Sequence, residues 1–236
     1  MKTSELIDGK KINNEIKEIK SLFKMESTFE AGKRRFLALH ALLYTSSMSK
    51  STTPTFEDQL WDNLPNDMTR TAVNEKERTI IYGLWHATRI EDMTMNILIQ
   101  RGQQIHNEKY RNAINAGIDH TGNSLSNKQI LEMSARIDIP ALSKYRLAVG
   151  KRSQSIIKSL QFADLKRKVQ KSDIERIRSE GGVDDVPSAN WLLDFWAKKN
   201  VEGILFMPAS RHQIIHLREN FRAKIRGFIQ NEISPK

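Results

Sequence analysis

The chain has 236 residues, 39% hydrophobic and 28% charged, with a formal net charge of +10; this apolar share supports a core, excludes a disordered chain, and allows one large domain or two small ones. The absence of cysteine excludes disulfides, thiolate metal sites and cysteine nucleophiles. No run of 18 apolar residues exists to cross a membrane, and the polar start MKTSELIDGKKINNEIKEIK lacks a signal-peptide core, so a cytoplasmic location is expected.

Alternating strand patterns are nearly absent, and only eleven glycines and six prolines punctuate the chain. The expectation is an all-α fold. Residues 4–24 read as a polar, Lys-rich helix, so residues 1–26 are expected to form a loosely docked N-terminal arm on a single helical domain, 27–236. Ser27 and Glu30 have capping-box spacing before a helix to about Ser46, with Phe36, Leu39, Leu42 and Leu43 in helical period. SSMSKSTTP reads as a loop, followed by a short helix over Phe56–Trp61. Asn74 and Glu77 repeat the cap spacing and predict a long helix to about Gln100, which Gly102 stops. The segment 103–125 is irregular, with Gly117 and Gly122. Ser126 and Gln129 cap a further short helix, and Asp138 before Pro140 opens one that runs to about Leu160. Residues 162–180 predict a basic helix ended by Gly181 and Gly182. Ser188 opens a helix bearing Trp191, Leu192, Phe195 and Trp196, and Pro208 starts the last helix, 209–229.

Much of the positive charge is local. Between Lys144 and Arg178 stand eleven Lys/Arg against three Asp/Glu, a net of +8. Such a stretch can track nucleic-acid phosphates. No zinc-finger spacing or RNA-binding aromatic motif accompanies it, so a solvated helix face is the preferred reading and nucleic acid is not an expected partner.

Six histidines are present. His212 and His216, in RHQIIHLRE, are four apart, which on a helix puts two imidazoles on one face, close enough to converge on one ion. HQIIH lacks the glutamate of the H-E-x-x-H zinc-protease motif. On the helical wheel Ile214, Phe221, Ile225 and Phe228 fall opposite the pair, with only Ile215 and Ala223 beside it. Either this helix is buried on two sides or the histidines face solvent. The apolar run Gly203–Pro208 favours burial on two sides. His86 continues an inward stripe with Ile90, Met93 and Ile97, so it is either a hydrogen-bonded core histidine or a third ligand. His40, which shares a face with Phe36, Leu43 and Ser47, is the rival as ligand or cavity residue. His106 and His120 read as surface residues. Arg89, one turn from His86, is a candidate for a substrate carboxylate or a surface ion pair. Glu91 and Asp92 are expected to make bonds between helices rather than to ligate metal.

LWHATRIEDMTMNIL, with MPASRHQIIHLRE far downstream, resembles the DinB-like (YfiT-type) metalloenzyme superfamily, in particular a longer bacterial branch. LALHALLY, TFEDQLWDNL, DHTGNSLS, ALSKYRLAVGKRS and NWLLDFWAKK extend the resemblance over roughly residues 30–225. It implies a four-helix-bundle core with additional helices, and a nickel or zinc ion held by His86, His212 and His216 with coordination positions left open. It also implies frequent dimers, and in some relatives transfer or isomerisation with low-molecular-weight thiols such as bacillithiol or mycothiol. The 126 residues between His86 and His212 exceed the usual spacing, so the basic helices between them read as an insertion around the site. Three functions are expected in turn: a metal-dependent transferase or hydrolase acting on a small molecule, a non-enzymatic metal-binding or stress-related protein, and a basic nucleic-acid-binding helical protein.

Overall fold

The computed structural model describes residues 8–233. Residues 4–7 of the expected first helix lie outside the described residues. Asp8 starts helix α1 (Gly9–Leu22) by accepting hydrogen bonds from the backbone N–H groups of Lys10 and Lys11. Its buried stripe of Ile12, Ile16 and Ile19 packs on α2 (Glu26–Ala41), and Arg35 of α2 bonds to Glu15 and Glu18 across the hairpin. The arm is therefore packed into the core rather than loosely docked. Ser27 does not cap α2: the helix begins at Glu26, and the hydroxyl of Thr28 instead donates to the Leu22 carbonyl, closing the turn between the helices.

The expected loop after α2 contains one turn of helix, α3 (Ser46–Ser49), and then α4 (Phe56–Trp61) appears with a complete capping box from Thr55 and Asp58. After α5 (Asn66–Thr71) the chain makes a tight turn in which the Asn74 side chain accepts from the N–H groups of Lys76 and Arg78. Asn74 and Glu77 thus cap a turn, not a helix. The helix α6 (Ile80–Met93) starts five residues beyond Asn74, on Thr79.

From Ile80 through a π-helical extension, Thr94–Ile99, every side chain of α6 is buried. A helix covered on all sides is a central element, and α9 (Ile139–Ser159) and α13 (Gln213–Ile233) both pack on it. It ends at Arg101, which takes the left-handed conformation (φ 54°), while the Gly102 N–H returns to the Asn96 carbonyl. The close approach of α13 to α6 depends on Gly83: a Cβ there would lie 2.2 Å from Asn220 Oδ1.

Helices α7 (Glu108–Ile114) and α8 (Asn127–Arg136) follow, the latter with the expected Ser126–Gln129 capping box, and Asp138 caps α9 with Pro140 in its first turn. The basic stretch 162–180 is not one helix. A 3₁₀ turn (Phe162–Lys166) and α10 (Lys171–Ser179) flank an extended segment whose backbone pairs with residues 199–201, through Val169 N–H to Lys199 O and Val201 N–H to Arg167 O. Pairing across the chain outweighs local helix preference there. Pro187, not Ser188, opens α11 (Pro187–Ala197), and the short α12 (Val201–Leu205) leads into a second π-helical turn, Met207–His212, that runs directly into α13. Among the described residues there is no strand, only two isolated bridges, Val73 with Thr79 and Lys168 with Asn200. No described helix is long and apolar enough to cross a membrane.

Candidate metal centre

His86, His212 and His216 meet where α6 faces the junction of the second π turn and α13. Their potential ligand atoms all lie within 4.8 Å of one another. The ring centroids are 5.1 Å apart for His86–His212, 4.7 Å for His86–His216 and 4.4 Å for His212–His216. The helix that carries the pair is buried on two sides, as the apolar run before it suggested. His216 is buried, and so are Ile214, Leu217 and Phe221, while Ile215 faces solvent at 44% exposure.

Each ring is held from outside the cluster to a different degree. His86 Nδ1 donates to the Thr121 carbonyl at 2.8 Å, which leaves its Nε2 as a lone pair. His216 Nδ1 stands 2.9 Å from Glu219 Oε2, close to it but off the direction of a well-aligned hydrogen bond. It directs His216 Nε2 toward His212 Nε2, 3.1 Å away. His212 Nδ1 is shielded from solvent and has no partner among the described residues. Tetrahedral coordination at metal–nitrogen bonds of about 2.0–2.1 Å separates ligand nitrogens by about 3.3 Å. The His212–His216 pair stands close to that separation already, and His86 comes within a side-chain adjustment of it.

The electrostatics keep the three rings neutral. Burial lowers the proton affinity of His86 well below the usual histidine value, and the neighbouring His216 adds to it. Burial and the other two rings do the same to His212. Burial also lowers His216, against the opposing pull of Glu219. Burial alone would raise the Glu219 carboxyl, but its contacts with His216 and Lys76 outweigh that and hold it down at about 2. Neutral imidazoles present lone pairs, which is the state a metal ion requires.

The loop bearing Thr121 is fastened by one stripe of α6. The Tyr82 hydroxyl donates to the Gly122 carbonyl, Trp85 Nε1 to that of His120, and Arg89 Nε to that of Asp119. Tyr82 also stacks on His86, with 5.5 Å between ring centres. Arg89 is thereby spent on structure. It is 1% exposed, bonds Tyr145 and pairs with Asp92, and does not line the cavity above the histidines. Arg89 is thus neither an accessible carboxylate-binding residue nor part of a surface ion pair, because its ion pair with Asp92 is buried. His40 does not join the cluster either. It is fully buried, its Nε2 stands 2.8 Å from Glu91 Oε1, and Gln213 donates to the other oxygen of that carboxylate. A buried carboxylate needs such partners, and His40 is one of them. Glu91 and Asp92 bond across elements, Asp92 accepting from the N–H groups of Ile105 and His106. Those two bonds draw His106 inward, so it is a buried residue packed edge-on against Trp85, and His120 is half-buried.

A cavity of about 290 Å³ opens above the histidines, with Trp191, Phe195 and Trp196 of α11 as its apolar wall and Lys76, Arg78 and Glu219 on its polar side. The reading of the sequence missed Glu219 and Thr121. Glu219 stands three residues after His216 on the same helix, a spacing that makes the two neighbours and was visible in the sequence. Thr121 contributes only a backbone carbonyl, which no residue pattern announces. Part of the basic stretch is engaged within the protein: Arg146 is buried against Glu57, Arg167 donates to the Ile99 carbonyl, and Arg176 and Arg178 pair with Glu180 and Glu175, whereas Lys144, Lys151, Lys158, Lys166, Lys168 and Lys171 are exposed. Compared with known proteins, the chain matches no family model, no curated protein and no solved structure.

Proposed function

We propose that this chain is a metal-dependent enzyme of the DinB-like type, in which His86, His212 and His216 hold one divalent ion, nickel or zinc, beneath a cavity that receives a small molecule. The observation that carries this reading is the convergence of three neutral imidazoles from two helices, two of them oriented from behind by Thr121 and Glu219. Three protein ligands leave at least one position for water or substrate, the pattern of a catalytic rather than a structural site. Bound there, the ion would polarise a thiol or water and lower its pKa. The protein has no cysteine, so a thiolate nucleophile arrives with a cosubstrate, and the reading is that of a thiol-dependent transferase. Trp191, Phe195 and Trp196 line one side of the cavity with apolar surface, and the Glu219 carboxylate lies 2.9 Å from His216 Nδ1.

Metal analysis of purified protein tests this. We expect about one equivalent of ion per chain, lost in His212→Ala and His216→Ala. Full occupancy in both variants would overturn the site. Turnover with a thiol cosubstrate that stops on chelation separates an enzyme from a protein that only binds metal.

A further inference from the structure

A second cavity, of about 380 Å³, lies on the far side of Phe195 and Met207, which belong to the walls of both. Lys20 of α1, Lys199 after α11 and Arg211 beside His212 line it, together with Glu202. Three cations from distant parts of the chain thus gather in one concavity, each half-buried. Among the described residues none of the three side chains forms an ion pair or hydrogen bond. The two ammonium groups stand over aromatic rings instead: Lys199 Nζ is 4.0 Å from the centre of Phe195 and Lys20 Nζ 5.0 Å from that of Phe206. The mutual repulsion is felt, since burial and then Arg211 lower the proton affinity of Lys20, with Glu202 opposing. Gathering three cations around a single carboxylate costs free energy that an anionic ligand returns. Three cations against one carboxylate leave a net of +2, the complement of a phosphate dianion, whose oxygens accept from separate ammonium and guanidinium donors.

We propose that Lys20, Lys199 and Arg211 form an anion site for the phosphate of a small phosphorylated molecule, whose other end passes Phe195 and Met207 to reach the three histidines. The anion site stands on the cavity and its charges. Only the reach to the histidines rests on the metal-centre reading.

Calorimetric titration of the full-length, metal-stripped chain with inorganic phosphate tests the site. Saturable 1:1 binding with a Kd of about 1 mM or tighter is expected. Lys20→Gln and Lys199→Gln should each weaken it by about fivefold or more, and Glu202→Gln should tighten it, a gain that a purely structural role would not produce. These three positions are partly exposed and remote in sequence from the histidine ligands, so each variant should keep the wild-type melting temperature and metal content. Absence of saturable binding, a Kd unmoved by both lysine substitutions, or tighter binding of succinate than of phosphate would overturn the assignment. Phosphate binding by a chain that takes up no metal would support the pocket and overturn its link to the histidines.

Discussion

Replacing Gly83 with alanine tests whether helix packing sets the histidine geometry. The added Cβ would stand 2.2 Å from Asn220 Oδ1 and 3.0 Å from Asn220 Cγ. Ordinary carbon contacts begin near 3.5 Å, so either Asn220 swings away or α6 and α13 separate by about 1 Å. Asn220 is 1% exposed and its Nδ2 already lacks a partner among the described residues, so the core offers it little room. Overpacking of this kind costs about 1–3 kcal/mol, against which alanine recovers up to about 1 kcal/mol of helix propensity. A net loss of about 1–2 kcal/mol is expected, or a fall in melting temperature of roughly 2–8 °C for a chain of this size. The effect on metal should be larger than the effect on stability. Gly83 lies three residues before His86 on α6, and Asn220 four residues after His216 on α13, so separation there moves the third ligand away from the pair. Metal–ligand distances tolerate only about 0.2 Å, and affinity should fall more than tenfold. Urea denaturation of the metal-free protein and competition with a chromophoric chelator measure the two effects. Gly83→Ala combined with Asn220→Ala should restore much of both, as expected for coupled neighbours. A Gly83→Ala protein as stable as wild type, with unchanged metal affinity, would refute the idea that this contact sets the spacing of the helices at the site.

The pH dependence of stability should carry the mark of His106. Burial, then Arg89 and Arg111, hold its pKa down to about 3, against about 6.5 in the unfolded chain. The unfolded state therefore binds a proton that the folded state refuses between these values. Stability is full above pH 6.5 and falls as the pH drops toward 3, by about 3 kcal/mol from this residue at pH 4.5. His106→Phe preserves the edge-on packing against Trp85 and should remove most of that loss in urea titrations at pH 7 and 4.5; equal losses in both proteins would contradict the assignment. Arg146 donates to Glu57, Thr88, Gln213 and the Leu43 carbonyl inside the core. Arg146→Met should cost about 3–5 kcal/mol by stranding the Glu57 carboxylate, and adding Glu57→Gln should return part of it. Trp191, 53% exposed on the cavity wall, should behave oppositely: Trp191→Ala leaves stability within about 0.5 kcal/mol but weakens small-molecule binding, measurable as a raised KM with thiol cosubstrates.

The helical class of this protein was legible in its sequence because periodicity and caps are local properties. Ser126 with Gln129 and Asp138 before Pro140 start α8 and α9 where the pattern placed them, since a cap needs only its own turn of backbone. The spacing of His212 and His216 is local in the same sense, and it survives even though a π-helical turn ends at His212 and α13 begins at the next residue. Long-range pairing decided the rest. Residues 167–170 left the helical pattern because residues 199–201 supplied backbone partners. From the sequence His86 was the better-placed third partner and His40 its rival, because both sit on inward stripes. Tertiary structure separated them: the Thr121 carbonyl holds His86 toward the pair, while the buried Glu91 carboxylate engages His40. Arg89 was drawn inside by the same rule, to satisfy a loop carbonyl and a buried aspartate. Periodicity shows which side chains turn inward, whereas the partner each buried polar group finds there is settled only when distant segments meet.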